Sequence, residues 1–463
     1  MKKSILALIF SGAILFTSCE TEATVDSAEV QKIVDAAVAA ALQNYPNTQV
    51  IADAAAAAAT QAVNAGLASL DINGAIEAAL SAADALANPT VVRVGTGGVT
   101  YISSNTTWTN DKVWLMDGKI VVQNGATLTV EAGTIVKAAA GTGANATVLI
   151  VAKGAKIEAI GTAEKPIIFT DANDQIVYAN GTTSPNRSVT DKGLWGSVII
   201  LGNGIVGAAS GEANIEGVVS GYEFTKYGGS NNAENSGTLK YVSIRHTGTA
   251  VSPGNELQGL TMGGVGSGTV IENIELIGSE DDGIEIFGGA VNVTNIVIAN
   301  FDDDGIDLDQ AYDGTISNAV VIMAPGSDTV FEIDGTEEPN NAIVGEYTIK
   351  NVTAYGRSDA AKFDTFGNWK SDATGFNENV LFVDFPASTT LGGIDSDTYD
   401  GAGTAPIEGK LNFKDFIVVT SDSKATVVGG QVDEASATWI SVSTTRPSSK
   451  GADESVFGWT QFF

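Results

Sequence analysis

An asparagine returns at a fixed place inside a short apolar segment throughout the second half of the chain. The segments are VIENIELI around Asn273, NVTNIVIA around Asn295, TISNAVVI around Asn318, TIKNVTAY around Asn351 and NENVLFVD around Asn379. The steps between these asparagines are 22, 23, 33 and 28 residues. Unequal steps around a constant core pattern predict a β-solenoid whose coils carry loop insertions. Asparagine tolerates the left-handed backbone a coil corner needs, and its amide can bond to the same amide one coil away.

The other half of each coil aligns too: GLTM at 259–262, GIEI at 283–286, GIDL at 305–308 and VFEI at 330–333. Side chains alternate faces along a strand, so Leu260/Met262, Ile284/Ile286, Ile306/Leu308 and Phe331/Ile333 are expected to stack inward. Thr261, Glu285, Asp307 and Glu332 then point outward. Looser versions begin at Gly125, Val148, Gly193 and Gly237, where Tyr241 takes the asparagine place, and at Gly409, where Asp415 takes it. Residues 95–463 therefore read as one all-β solenoid of roughly ten to twelve coils. With 53 Gly and only 10 Pro, the composition suits an ordered, turn-rich β architecture rather than disorder.

Upstream the pattern changes. Residues 1–19, MKKSILALIFSGAILFTSC, join two lysines, an apolar run too short for a comfortable membrane span, and the chain's single cysteine. This is expected to be a secretory signal, and LFTSC resembles the lipobox of bacterial lipoproteins, which implies lipidation of Cys19 and an anchor in the cell outer membrane. With no second cysteine there is no disulfide framework and no cysteine-based metal site. Residues 20–94 are Ala-rich and helical in pattern: Asp26 and Glu29 make a capping box, and Pro46 and Pro89 punctuate the region. They are expected to form a spacer, either a stalk that can join copies into a homo-oligomer or a helical cap or tether. The formal charge of −31 disfavours nucleic acid as a partner.

Two doubled acids stand out, DDGIEIFGG at 281–289 and DDGIDLDQ at 303–310. Coils lie about 4.8 Å apart, so Asp281, Asp282, Asp303, Asp304, Asp307 and Glu285 are crowded with like charge. They are candidate ligands for Ca²⁺; the other reading is a solvated acidic edge. Tyr312, Tyr355, Phe366 and Trp369 fall on longer turns, where they could stack on sugar rings or pack against the coil. His246 is expected on a turn or at the surface.

The run LTVEAGTIVKA, GAKIEAIGTAEKPIIFTD, GLWGSVIILGNG, YGGSNNAENSGTLKYVSIRH, GLTMGGVGSGTVIENIEL and DDGIEIFGG resembles surface lipoproteins of Bacteroidota with a pectin-lyase-like right-handed parallel β-helix. The resemblance implies that fold and little about activity. It makes a non-catalytic scaffold, an adhesin or a binder of polysaccharide or of another surface protein the leading expectation. The alternative is a uronate lyase or glycoside hydrolase using Asp282 and Asp304 with Lys362 as base. Hydrolases hold two carboxyls about 5–5.5 Å or about 6.5–9.5 Å apart, and stacked acids can approach the shorter value. DDGIE also looks like the acidic coil motif of polygalacturonases, but their Gly-His-Gly and Arg-x-Lys are missing here, and Arg245 and Arg357 lie in no catalytic motif.

Overall fold

The computed structural model describes residues 89–463 apart from 179–180, 219–220, 250–256, 337–344, 358–364, 395–398 and 400–406. The signal, Cys19 and nearly all of the spacer therefore lie outside the described residues, and so does Lys362. The first strand, Thr90–Val94, already belongs to the coiled region, inside the stretch assigned to the spacer. Among the described residues no helix is long and apolar enough to cross a membrane.

Nearly all strand pairings are parallel, and they build two long sheets wound round one core. In the wider sheet Val270–Ser279 pairs with Asn292–Phe301, then Thr315–Ile322, Tyr347–Tyr355, Gly375–Val383 and Leu411–Val419. In the narrower sheet Leu260–Gly263 pairs with Ile284–Phe287, Ile306–Asp309, Phe331–Asp334 and Gly367–Lys370. This is a parallel β-helix. The register places Leu260, Ile284, Ile306 and Phe331 in one column and Met262, Ile286, Leu308 and Ile333 in the next, all buried. Each inward side chain touches its counterparts above and below, so coil stacking removes both from water at once.

Asn273, Asn295, Asn318, Asn351 and Asn379 each bend a wide-sheet strand with φ between 56° and 59°, and Tyr241 and Asp415 do so at 51° and 57°. The Nδ2 of Asn295 donates to Asn273 Oδ1 at 3.1 Å, Asn318 to Asn295 at 2.8 Å, and Asn379 to Asn351 at 2.8 Å. An amide carries both donor and acceptor, so a column of amides satisfies itself.

Inserted segments cover the helix. Residues 203–218 and 221–228 fold over the outer face of the narrow sheet, where Val206, Ile215, Phe224 and Tyr227 bury Val121, Ile150 and Ile199. Gly204 and Gly228 lie against the carbonyls of Gly264 and Gly211, 2.7 and 2.6 Å from where a Cβ would sit, so this cover tolerates no side chain there.

Replacing Asn295 by Ala removes two ladder bonds and puts a side chain that disfavours the left-handed region at the corner. The expected loss of unfolding free energy in urea is about 2–4 kcal/mol. Asn295→Gly keeps the corner and is expected to lose about 1–2 kcal/mol.

Candidate functional site: a buried carboxyl ladder

The outward column of the narrow sheet runs Tyr101, Val121, Ile150, Ile199, Thr261, Glu285, Asp307, Glu332 and Asn368. It is apolar at the N-terminal end and acidic at the other. The acids point out of the coil core as expected; Asp307 and Glu332 are half-buried, and Glu285 is buried. Glu285 is only 5% exposed, and residues 207–216 reach across this side: Glu216 Oε1 accepts from Gln258 Nε2 at 2.6 Å, and Gly207 N donates to Gln310 O at 2.8 Å.

A second column stands at the turn just before the strands. Gln258, Asp282, Asp304 and Thr329 each lie two residues before an inward apolar residue. Gly259 N donates to Asp282 O, Gly283 N to Asp304 O and Gly305 N to Thr329 O, at 2.8–3.0 Å. Their side chains interlock as well. Asp282 Oδ1 accepts the Asp304 N–H at 2.9 Å, while Asp304 Oδ1 accepts the Thr329 N–H at 2.8 Å and the Thr329 hydroxyl. Asp282 and Asp304 are 5% and 1% exposed.

These carboxyls sit in groups able to hold a cation: Asp281, Asp282 and Asp303; Asp282, Glu285 and Asp307; Asp303, Asp304 and Asp328. All six residues predicted as ligands are thus brought together, with Asp328 added by the structure. Within the middle group Glu285 Oε2 and Asp307 Oδ1 are buried without a hydrogen-bond partner. Burying such oxygens unpaired is costly, so they are held by a proton or by a cation.

The electrostatics follow from that confinement. Burial first, then Asp281 and Asp304, push the Asp282 carboxyl well above the ordinary range. Burial and then Asp282 and Glu216 do the same to Glu285, and burial and then Asp309 to Asp307. Asp304 is pushed up to about 9 by burial and by its hydrogen bond to Glu332. Glu332 is lowered instead, by that bond from Asp304 and by Lys370, which pairs with it and with Asp334. One proton is therefore shared along Asp304 and Glu332, with Asp304 keeping it.

Other expectations need correcting. His246 is buried rather than at the surface; it makes a corner at φ 64° and its Nδ1 lies 2.7 Å from Asp191 O. Arg245, assigned no catalytic role, is fully buried, donating to Ser243 Oγ at 2.7 Å and paired with Glu275 at 3.4 Å. Tyr312, Phe366 and Trp369 are core residues, not sugar platforms: the Tyr312 hydroxyl donates to Val291 O at 2.5 Å, and Trp369 stands beside Ile333 in the inward column, packed on Phe413. Tyr355, half-buried, lies under the Arg446 guanidinium. Thr329 and Gln258 were the functional neighbours missed; extending the DGI alignment to QGL and TVF would have placed both in the acid column.

A carboxyl whose pKa is raised on folding weakens the fold as pH rises. Between 3.8 and about 9 the unfolded chain gives up the Asp304 proton while the folded chain keeps it. The thermal midpoint of chain freed of divalent ions is therefore expected to fall as pH increases through that window and to level off above it. Asp304→Asn, which keeps the acceptor oxygen, should flatten part of the slope in calorimetry at constant ionic strength.

Comparison with known proteins returned a family but no individual relative: neither curated proteins nor solved structures gave a match. The model of the pectate-lyase-like β-helix domain matches residues 100–462. The wound parallel sheets and the extent of that match place the chain in the pectate-lyase-like family of right-handed parallel β-helix proteins.

Proposed function

We propose that this protein is a non-catalytic β-helix scaffold at the bacterial cell surface, tethered to the outer membrane through lipid on Cys19. It binds an extracellular polysaccharide or another surface protein, and Ca²⁺ neutralises its carboxyl ladder. The observation that carries the reading is the condition of the two acids best placed for hydrolysis. Asp282 and Asp304 are buried, and their oxygens accept backbone N–H groups of neighbouring coils. A general acid or nucleophile must reach a glycosidic bond, whereas these two carboxyls are withdrawn from the surface. Carboxyls used this way hold turns together.

The donor set suits a hard divalent cation. Asp282, Glu285 and Asp307 offer only carboxylate oxygens, and two of these have no other partner. A bound ion would let the three ionise together, replacing the protons that keep them neutral. Ca²⁺ would supply charge neutralisation and cross-linking of coils.

Titrating the purified full-length chain with Ca²⁺ at neutral pH is expected to raise the thermal midpoint saturably. Glu285→Gln with Asp307→Asn should abolish the increase while leaving the metal-free chain folded. Incubation with uronate-containing polysaccharides should release no reducing ends and no unsaturated products. Turnover that vanishes in Asp282→Asn or Asp304→Asn would overturn the non-catalytic reading.

A further inference from the structure

The C-terminal segment lies against the flank of the β-helix and runs back along the row of left-handed corners. Lys450 pairs with Asp415 at 3.0 Å. Next, Gly451 N donates to Asn379 Oδ1 at 3.0 Å while Asn379 Nδ2 donates to Gly451 O at 3.1 Å. Ala452 N donates to Thr353 Oγ1 at 2.9 Å. Asp453 repeats the paired arrangement on Asn318, its N–H to Oδ1 at 2.7 Å and its C=O from Nδ2 at 3.3 Å. Phe457 is buried against Val297 and Val320, and Trp459 meets Tyr241 edge to face at 5.5 Å. Finally Gln461 N donates to Glu275 Oε1 at 2.6 Å, beside the buried pair that Glu275 makes with Arg245.

These contacts have the character of ligand recognition. Asn379 and Asn318 each hold both the N–H and the C=O of a single residue, which reads an extended main chain without regard to its side chains. Two aromatic anchors, Phe457 and Trp459, add the apolar grip typical of a bound peptide. The corner asparagines thus have two uses, bonding one another along the axis and presenting their remaining groups to a passing polypeptide. The segment follows the coils through an exposed link: Ser448 and Ser449 are exposed, and Arg446 on the coil side grips Tyr355 and Glu454 at 2.6 Å each.

We propose that the corner row is a docking track for an extended polypeptide, that residues 450–463 are its resident ligand, and that the same segment of a second copy can take their place. Exchange of this kind joins copies of the chain without any new contact, because each track keeps the interactions it already has. The inference is independent of the cation site and of the reading of function above.

The test uses the full chain with a specific protease site placed between Ser448 and Ser449, cut after folding. The cut segment is expected to stay bound through gel filtration. A fluorescently labelled peptide of residues 450–463 should then exchange into the cut chain saturably and not into uncut chain. Asn318→Ala in the cut chain is expected to weaken peptide binding about tenfold, the worth of one paired contact. Loss of the segment on cutting without rebinding, unfolding of the cut chain, or a segment that stays bound yet never exchanges over days would each overturn the proposal. A peptide in which Phe457 and Trp459 are replaced by Ala guards against adsorption: binding as tight as the parent peptide's would also overturn it.

Discussion

Stacking in register is the constraint on which this molecule rests. Once coils lie one above another, every side chain meets its own positional equivalent about 4.8 Å away, above and below. A column is then stable or unstable according to whether a side chain complements itself. Apolar residues do, and the columns through Ile284 and Ile286 form the core. Asparagine does, because its amide both gives and accepts, and the corner column through Asn295 shows it. A carboxylate does not.

The acidic columns show how the fold accommodates a side chain that repels itself. At the turn, Asp282 and Asp304 turn toward backbone N–H groups of the next coil and are flanked by neutral Gln258 and Thr329, so like-charge stacking is limited in extent. At the strand, Lys370 neutralises Glu332. Among the described residues of these columns, Glu285 and Asp307 keep buried oxygens without hydrogen-bond partners, and Glu285 has Glu216 of the covering insert beside it. The unresolved electrostatic demand of the fold is concentrated at this point, which is why the proposed cation belongs there.

Much of this was legible in the sequence, because repetition is itself a structural statement. The inward pairs, the asparagine row and its substitutes Tyr241 and Asp415 could all be read from spacing alone, as could the neighbourhood of the six candidate ligands. Burial could not. Glu285 is covered by residues some seventy positions earlier, in an insert with no repeat of its own, so alternation predicted its direction but not its environment. The same blindness left open whether Trp369 stacks on a sugar or packs against the coil, although its place beside Ile333 fixes it inside. The C-terminal strap was illegible for a related reason: its partners are the leftover hydrogen-bonding groups of a row that already explained itself.

The measurement that bears most directly on this account is infrared spectroscopy of the carboxyl groups in chain freed of divalent ions at neutral pH. The account predicts a protonated-carboxyl band from the ladder, diminished in Glu285→Gln and Asp307→Asn and reduced on adding Ca²⁺, with protons released to the solvent and the share of the band due to Asp304 remaining. A metal-free chain that is folded and shows only ionised carboxylates at neutral pH would contradict it, since the acidic columns would then tolerate stacked charge without proton or cation.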